Sequence, residues 1–299
     1  MHRIPPEPTR RVHPDPDFVT LVEVAPRDGL QNESTPLPAE IKVELVDRLT
    51  AAGCPTIEVT SFVSPKAVPQ LADAALVMAG IRRAPDVLYT VLTPNWRGFE
   101  GARDARADGI VVFGAASETF SQKNINCSIA ESLERFRPVV MAALESGIAV
   151  RGTVSCALGC PYEGVIAPEA VADVARELLA LGCEEISIAD TIGVGTPART
   201  QVVMERVIEV VAPSRINAHF HDTQGRALEN LEVCLELGIR SIDASAGGVG
   251  GCPFAPGATG NVATEAVLAF LEARGFTTGI DRGAVTATGQ WLRDQLVRR

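Results

Sequence analysis

The stretch Asn217-Ala218-His219-Phe220-His221-Asp222-Thr223 sets two imidazoles two residues apart, followed by a carboxylate and a hydroxyl. In an extended strand the side-chain period is two, so His219 and His221 project from one face. Imidazole is a common ligand for divalent metals, and the pair supplies half of a metal site. The same two residues could equally be hydrogen-bonded histidines packed in a core. Joined by Asp28 and Asn261, they would make a set of two imidazoles, one carboxylate and one amide oxygen. Such a mixed nitrogen and oxygen set, with room for water or substrate, suits octahedral Mg²⁺ or Mn²⁺. Zinc is the poorer match because no thiolate belongs to the set. Taken singly, Asp28 reads as a turn residue and Asn261 as a helix cap.

Arg27 stands beside Asp28. On a surface that pair would be a local salt bridge of small energetic value. At the mouth of a site it would place a fixed positive charge where an enolate develops, with Glu58 holding the guanidinium through a charge-assisted pair. Glu58 reads equally as one half of a structural ion pair. The spacing Cys156-x-x-x-Cys160 has no second pair nearby and reads as free thiols at a strand end. The run Gly247-Gly248-Val249-Gly250-Gly251-Cys252-Pro253 is too permissive in its backbone for a stable helix or strand. It is either a flexible connection or a mobile loop that carries the Cys252 thiol over a site, stiffened by Pro253.

These residues need a frame. Short β-branched runs are expected as strands at Val19–Val24, Thr56–Thr60, Val87–Leu92, Gly109–Phe113, Ala149–Ser155, Glu185–Ala189, Ile216–Phe220 and Ser241–Ala244. Between them, segments such as 39–49, Ser128–Ser146 and Pro168–Leu181 repeat apolar residues three and four apart, as amphipathic helices do. Glycines 53, 109, 147, 182 and 238 stand where helices should end. Eight β-then-α units spaced by roughly thirty residues predict a (β/α)₈ TIM barrel, with a short appended helical region from Gly275 to Arg299. A doubly wound open sheet is the alternative, but no G-x-G-x-x-G follows the first strand. In such a barrel the working residues lie at the C-terminal ends of the strands. There the sequence gathers Arg27 and Asp28, Glu58, Thr93, Ser117, Cys156, Asp190 and the two histidines.

Composition narrows the class of partner. A chain of 299 residues with 46% hydrophobic content can bury a large core, and a barrel needs about 250 residues. The net charge of -10 argues against nucleic acid and against an anionic membrane surface. No apolar run reaches the ~18 residues needed to span a bilayer. Residues 1–17, with five prolines and three arginines, read as a poorly ordered leader without a secretory apolar centre, and 18–299 as one catalytic domain. Seven scattered cysteines suit a reducing compartment, by default the cytoplasm.

Five separate motifs together resemble the 3-hydroxy-3-methylglutaryl-CoA lyase family of the DRE-type metallolyase barrels. They are the stretches 26–33 (PRDGLQNE), 60–66 (TSFVSPK), 113–118 (FGAASE), 155–164 (SCALGCPYEG) and 248–253 (GVGGCP). The likeness runs from about Val19 to Gly279. It implies cleavage of 3-hydroxy-3-methylglutaryl-CoA, or a close 3-hydroxyacyl-CoA, to acetyl-CoA and acetoacetate. It further implies that Asp28, His219, His221 and Asn261 hold Mg²⁺ or Mn²⁺. Arg27, oriented by Glu58, would stabilise the enolate, and Cys252 would transfer a proton, with Asp28 as a candidate base. Gln31, Asp190 and Glu265 are the implied supporting residues, and a homodimer the implied assembly. Two rival readings stay open at this level. Claisen-type synthases share the barrel, the metal and the Arg–Asp opening, but usually carry additional C-terminal domains. A non-catalytic acyl-CoA-binding protein would be favoured by loss of a metal ligand or of Arg27, and all are present.

Overall fold

The computed structural model describes residues 13–252 and 255–297. Eight parallel strands close into a barrel: Thr20–Glu23 (β1), Thr56–Ser61 (β2), Leu88–Leu92 (β3), Gly109–Ala115 (β4), Ala149–Ser155 (β5), Glu185–Asp190 (β6), Ile216–Phe220 (β7) and Ser241–Ala244 (β8). β1 pairs with β8 from Thr20↔Ser241 to Glu23↔Ala244, which leaves no free edge. Both faces of each strand are covered, so the strands read as apolar runs. Ile57, Tyr89, Val91, Val150, Ile186, Ile188 and Ile242 are all buried.

The surrounding helices are Ala39–Ala51 (α1), Ala74–Gly80 (α2), Trp96–Asp104 (α3), Glu118–Ile125 (α4), Ile129–Glu145 (α5), Pro168–Leu181 (α6), Pro197–Ile208 (α7) and Ala227–Glu236 (α8), followed by Thr264–Glu272 (α9) and Arg282–Val297 (α10). Their boundaries follow local chemistry. α5 starts in a capping box between Ser128 and Glu131. α6 has Pro168 in its first turn and ends at Gly182 with φ 116°, where a Cβ would meet the Leu144 side chain at 2.6 Å. Gly109 departs from its expected role as a helix end. It is the first residue of β4, and Arg106 takes the left-handed conformation after α3 with φ 56°. A Cβ at 109 would lie 3.0 Å from Thr90 on β3, so strand packing selects glycine there.

The glycine-rich run is corrected more substantially. Gly251–Cys252 (β9) pairs antiparallel with Ala255–Thr259 (β10), so a short hairpin stands where no strand was expected. A ladder of this kind needs only backbone donors and acceptors, and the pair is closed at its base by Gly260 N–H to Gly250 O at 2.7 Å. Pro253 and the Cys252 thiol fall outside the described residues, which include only the backbone of Cys252.

The segment after the barrel is integrated with it. Val285, Thr288, Gly289 and Leu292 of α10 are buried, and Arg48 of α1 stacks over Trp291 at 4.5 Å. Of the expected leader, residues 1–12 lie outside the described residues. The next residues are tied to the barrel floor, with Thr277 N–H donating to Asp17 O at 3.0 Å and Arg240 Nε to Pro16 O at 2.9 Å. Among the described residues no helix is long and apolar enough to cross a membrane.

Candidate active site

The C-terminal mouth of the barrel is built from the chain leaving β1. Residues Ala25–Gly29 form a single π-helical turn, with Gly29 N–H reaching back to Val24 O at 3.1 Å. Gly29 is needed there: a Cβ would lie 2.9 Å from Val249 O. The turn sets Arg27 and Asp28 side by side, and Arg27 is only 8% exposed. Its Nη1 donates to Asp28 Oδ1 at 2.5 Å and its Nε to Glu58 Oε1 at 2.6 Å. The surface reading of this pair is thereby removed. Burial works against the guanidinium charge, but Glu58 and Asp28 outweigh it and raise the Arg27 pKa further.

Glu58 is aimed by a register shift in β2. Glu58 aligns with Thr90, whereas Thr60 already aligns with Val91, so one residue is absorbed between them.

β7 delivers the two imidazoles to the same carboxylate. His219 Nε2 lies 3.8 Å and His221 Nε2 3.7 Å from Asp28 Oδ2. Asn261 Nδ2 donates to that oxygen at 2.9 Å. Asn261 is not a helix cap: it pairs as a bridge beside His221, in an extended segment running along the end of β7. Burial tends to raise the Asp28 pKa, but Arg27 first, then His221 and His219, hold it well below the usual carboxylate range. Ligand atoms of Asp28, His219 and His221 all lie within 4.8 Å of one another, the one such group among the described residues. Two imidazoles beside a carboxylate held in its ionised form and a carboxamide are the donor set that suits a divalent ion with mixed nitrogen and oxygen ligands.

The three implied supporting residues separate. Asp190 is fully buried at the end of β6, where its oxygens accept N–H groups of Val194 and Gly195 at 3.1 and 2.8 Å. It shapes the β6 loop directly. Glu265 accepts Gly247 N–H at 3.0 Å and lies 3.6 Å from Arg293 of α10. Its bonds are made to the base of the hairpin. Gln31 is half-buried just beyond the π-helical turn. Cys156 and Cys160 are buried free thiols, as expected.

Sequence reasoning missed Asp243 and Arg151. Asp243 Oδ2 lies 2.9 Å from His219 Nδ1, and Arg151 Nη2 donates to both Asp243 oxygens. The available signal was a charged residue inside a barrel strand, at 151 and again at 243.

Residues 18–292 match the family model described as HMGL-like. The chain belongs to the HMGL-like family. Among HMGL-like relatives, a Pseudomonas aeruginosa protein named 3-hydroxy-3-isohexenylglutaryl-CoA/hydroxy-methylglutaryl-CoA lyase is 54% identical over 92% of each chain. The mouse protein named 3-hydroxy-3-methylglutaryl-CoA lyase, cytoplasmic, is 52% identical over 93% of this chain and 81% of its own. The crystal structure of the HMG-CoA lyase from Brucella melitensis superposes with a TM-score of 0.92 at 52% identity, covering 93% of this chain and 98% of the other. The HMGL-like match thus spans the barrel and most of the appended helical region.

Proposed function

We propose that this chain is a divalent-metal-dependent lyase that cleaves 3-hydroxy-3-methylglutaryl-CoA to acetyl-CoA and acetoacetate. The observation that carries the reading is the convergence of Asp28, His219 and His221 beside a buried, doubly paired Arg27 at the C-terminal mouth. The resemblance in sequence and the relatives' names point the same way.

Asp28, His219, His221 and the carboxamide of Asn261 would hold the ion, Mg²⁺ or Mn²⁺ by the softness of the set. Bound there, such an ion supplies Lewis acidity that makes the substrate's tertiary alcohol easier to deprotonate. The reaction removes that hydroxyl proton, breaks the C2–C3 bond, and sends the electron pair into the thioester as an enolate. The remaining carbon becomes the ketone of acetoacetate, and one proton added to the enolate carbon completes acetyl-CoA. Arg27 supplies a fixed positive charge for the enolate oxygen, and Glu58 keeps the guanidinium from turning away. A depressed pKa makes Asp28 a good anionic ligand and a weak base, so its role in this reading is chiefly ligation.

The hairpin carrying Cys252 springs from the mouth itself. A Cβ at Gly250 would lie 2.9 Å from Asn261 Nδ2 and 3.1 Å from Gly29 Cα, which explains why only glycine fits. This placement supports Cys252 as the residue that exchanges a proton with the enolate carbon while the hairpin excludes water. Six buried free thiols among the described residues, together with the name of the mouse relative, support a reducing cytoplasmic setting. The proposed homodimer is tested by sedimentation.

A coupled assay for acetoacetate, run with EDTA, Mg²⁺ and Mn²⁺ in parallel, tests the reaction and the ion together. Metal-dependent acetoacetate release is expected. Substrate accepted only in the condensing direction would favour a synthase. The Pseudomonas relative's name makes a longer C3 substituent the first alternative substrate to try.

A further inference from the structure

The interior of the barrel below the site is polar, which is costly unless it serves something. Asp243 on β8 stands directly opposite His219 in the parallel register. It is 3% exposed, and its Oδ2 lies 2.9 Å from His219 Nδ1. From the other side Arg151 Nη2 donates to both carboxylate oxygens, at 2.6 and 2.5 Å. Asn217 Nδ2 adds a second bond to Oδ1 at 2.9 Å and donates as well to Ser241 Oγ at 2.8 Å. The Asn217 carbonyl is oriented in turn by Ser187 Oγ at 3.0 Å and by Arg151. Four successive strands, β5 to β8, therefore each contribute a polar side chain to one buried cluster whose upper end touches an imidazole.

An Arg–Asp pair buried in this way is weak evidence for stability, because apolar residues of similar volume often do as well or better. The end that meets His219 suggests its use. An imidazole that ligates through Nε2 must carry its proton on Nδ1, and a carboxylate accepting at Nδ1 fixes that tautomer and the ring's orientation. We propose that Asp243, clamped by Arg151 and Asn217, is a positioning residue that holds His219 as the Nδ1–H tautomer and aims its Nε2 at the ion site beside Asp28. This inference rests on the reading of His219 as a metal ligand. Arg151 sets the carboxylate's rotamer, and its own lower side faces Glu185 at 3.6 Å, at the wall of a 420 Å³ cavity on the barrel floor.

The test uses the full chain stripped with EDTA, with Mn²⁺ affinity measured by titration and histidine tautomers by ¹⁵N correlation spectra. The chain has 4 histidines, which keeps assignment tractable. Asp243→Asn is expected to weaken Mn²⁺ binding by about 10–100-fold, and Glu185→Gln, which also loses a partner of Arg151, to leave it unchanged. In the wild-type apoprotein His219 is expected as Nδ1–H, which can be read even if Asp243→Asn folds poorly. Equal Mn²⁺ affinity in wild type and Asp243→Asn, or an Nε2–H tautomer at His219, would overturn the positioning role alone. A wild-type chain that binds no Mn²⁺ would instead overturn the reading of the site on which it rests.

Discussion

At the scale of single residues, the mouth divides its charge between two tasks. Arg27 is held by Glu58 and Asp28 on separate nitrogens, so its position does not depend on substrate. Arg27→Gln should lower turnover by about 10²–10³-fold, the usual effect of removing one donor aimed at developing charge. The melting temperature should change little by comparison, and equal activity would remove Arg27 from the chemistry. His219→Ala should reduce Mn²⁺ occupancy together with rate. Normal metal content would take it out of the ligand set. Glu23 behaves differently because no cation among the described residues stabilises its charge. Buried at 1% exposure, it accepts N–H groups of Ala25 and Ala246 at 2.9 Å each and the Thr264 hydroxyl at 2.8 Å. Burial raises its pKa to about 7, against the lowering by Ala246, Ala25 and Thr264, with nearby Glu265 adding to the rise. Cys54 is the other titratable neighbour that feels its charge. The unfolded chain ionises near 4.5 and the folded chain near 7, so stability from this group falls as pH rises through that window and is level beyond it. Melting curves from about pH 5 to about pH 8 should therefore slope downward more steeply for wild type than for Glu23→Gln, and parallel slopes would refute the shift. Residues of this kind mark the limit of reading by sequence. Asp28, His219 and His221 are legible because they lie at or just beyond the C-terminal ends of strands that a local period marks. Asp243 is not, since its partnership with His219 depends on the register between two strands.

At the scale of elements, the eight strands and the principal helices are legible because hydrophobic period and glycine punctuation are local signals. The hairpin from Gly251 to Thr259 is not, because glycine weakens a strand without forbidding a two-stranded ladder. The base of that hairpin is braced by α10: Arg293 Nη1 donates to Gly247 O at 2.8 Å while Glu265 receives Gly247 N–H. Gly289 lies so close beneath it that a Cβ would meet Gly247 N at 2.5 Å. Gly289→Val should therefore displace the Ala246–Gly248 turn and lower activity, with metal affinity reduced less, since of the four proposed ligands only Asn261 adjoins the hairpin. An equal loss of both would show that the damage is general unfolding. Alkylation of Cys252 should inactivate and be slowed by a substrate analogue. Full activity after stoichiometric labelling would rule out the thiol.

For the whole molecule, the proposed ligands of the ion come from opposite ends of the sequence. Asp28 follows β1, whereas His219 sits on β7, His221 just after it and Asn261 beyond β8. Any ion they share spans the β1–β8 seam where the barrel closes. Saturating Mn²⁺ at about 100 times its Kd should stabilise the fold by about 2.7 kcal/mol, seen as a raised melting temperature that EDTA reverses. The same arrangement divides the chemistry between two halves of the chain. The first four strands bring Arg27, Asp28 and Glu58, and the last four bring both imidazoles and their buried support. If the gene were split in the connection after β4, neither polypeptide alone would own a complete ligand set. Acetoacetate production would then serve as a reporter of two fragments finding each other.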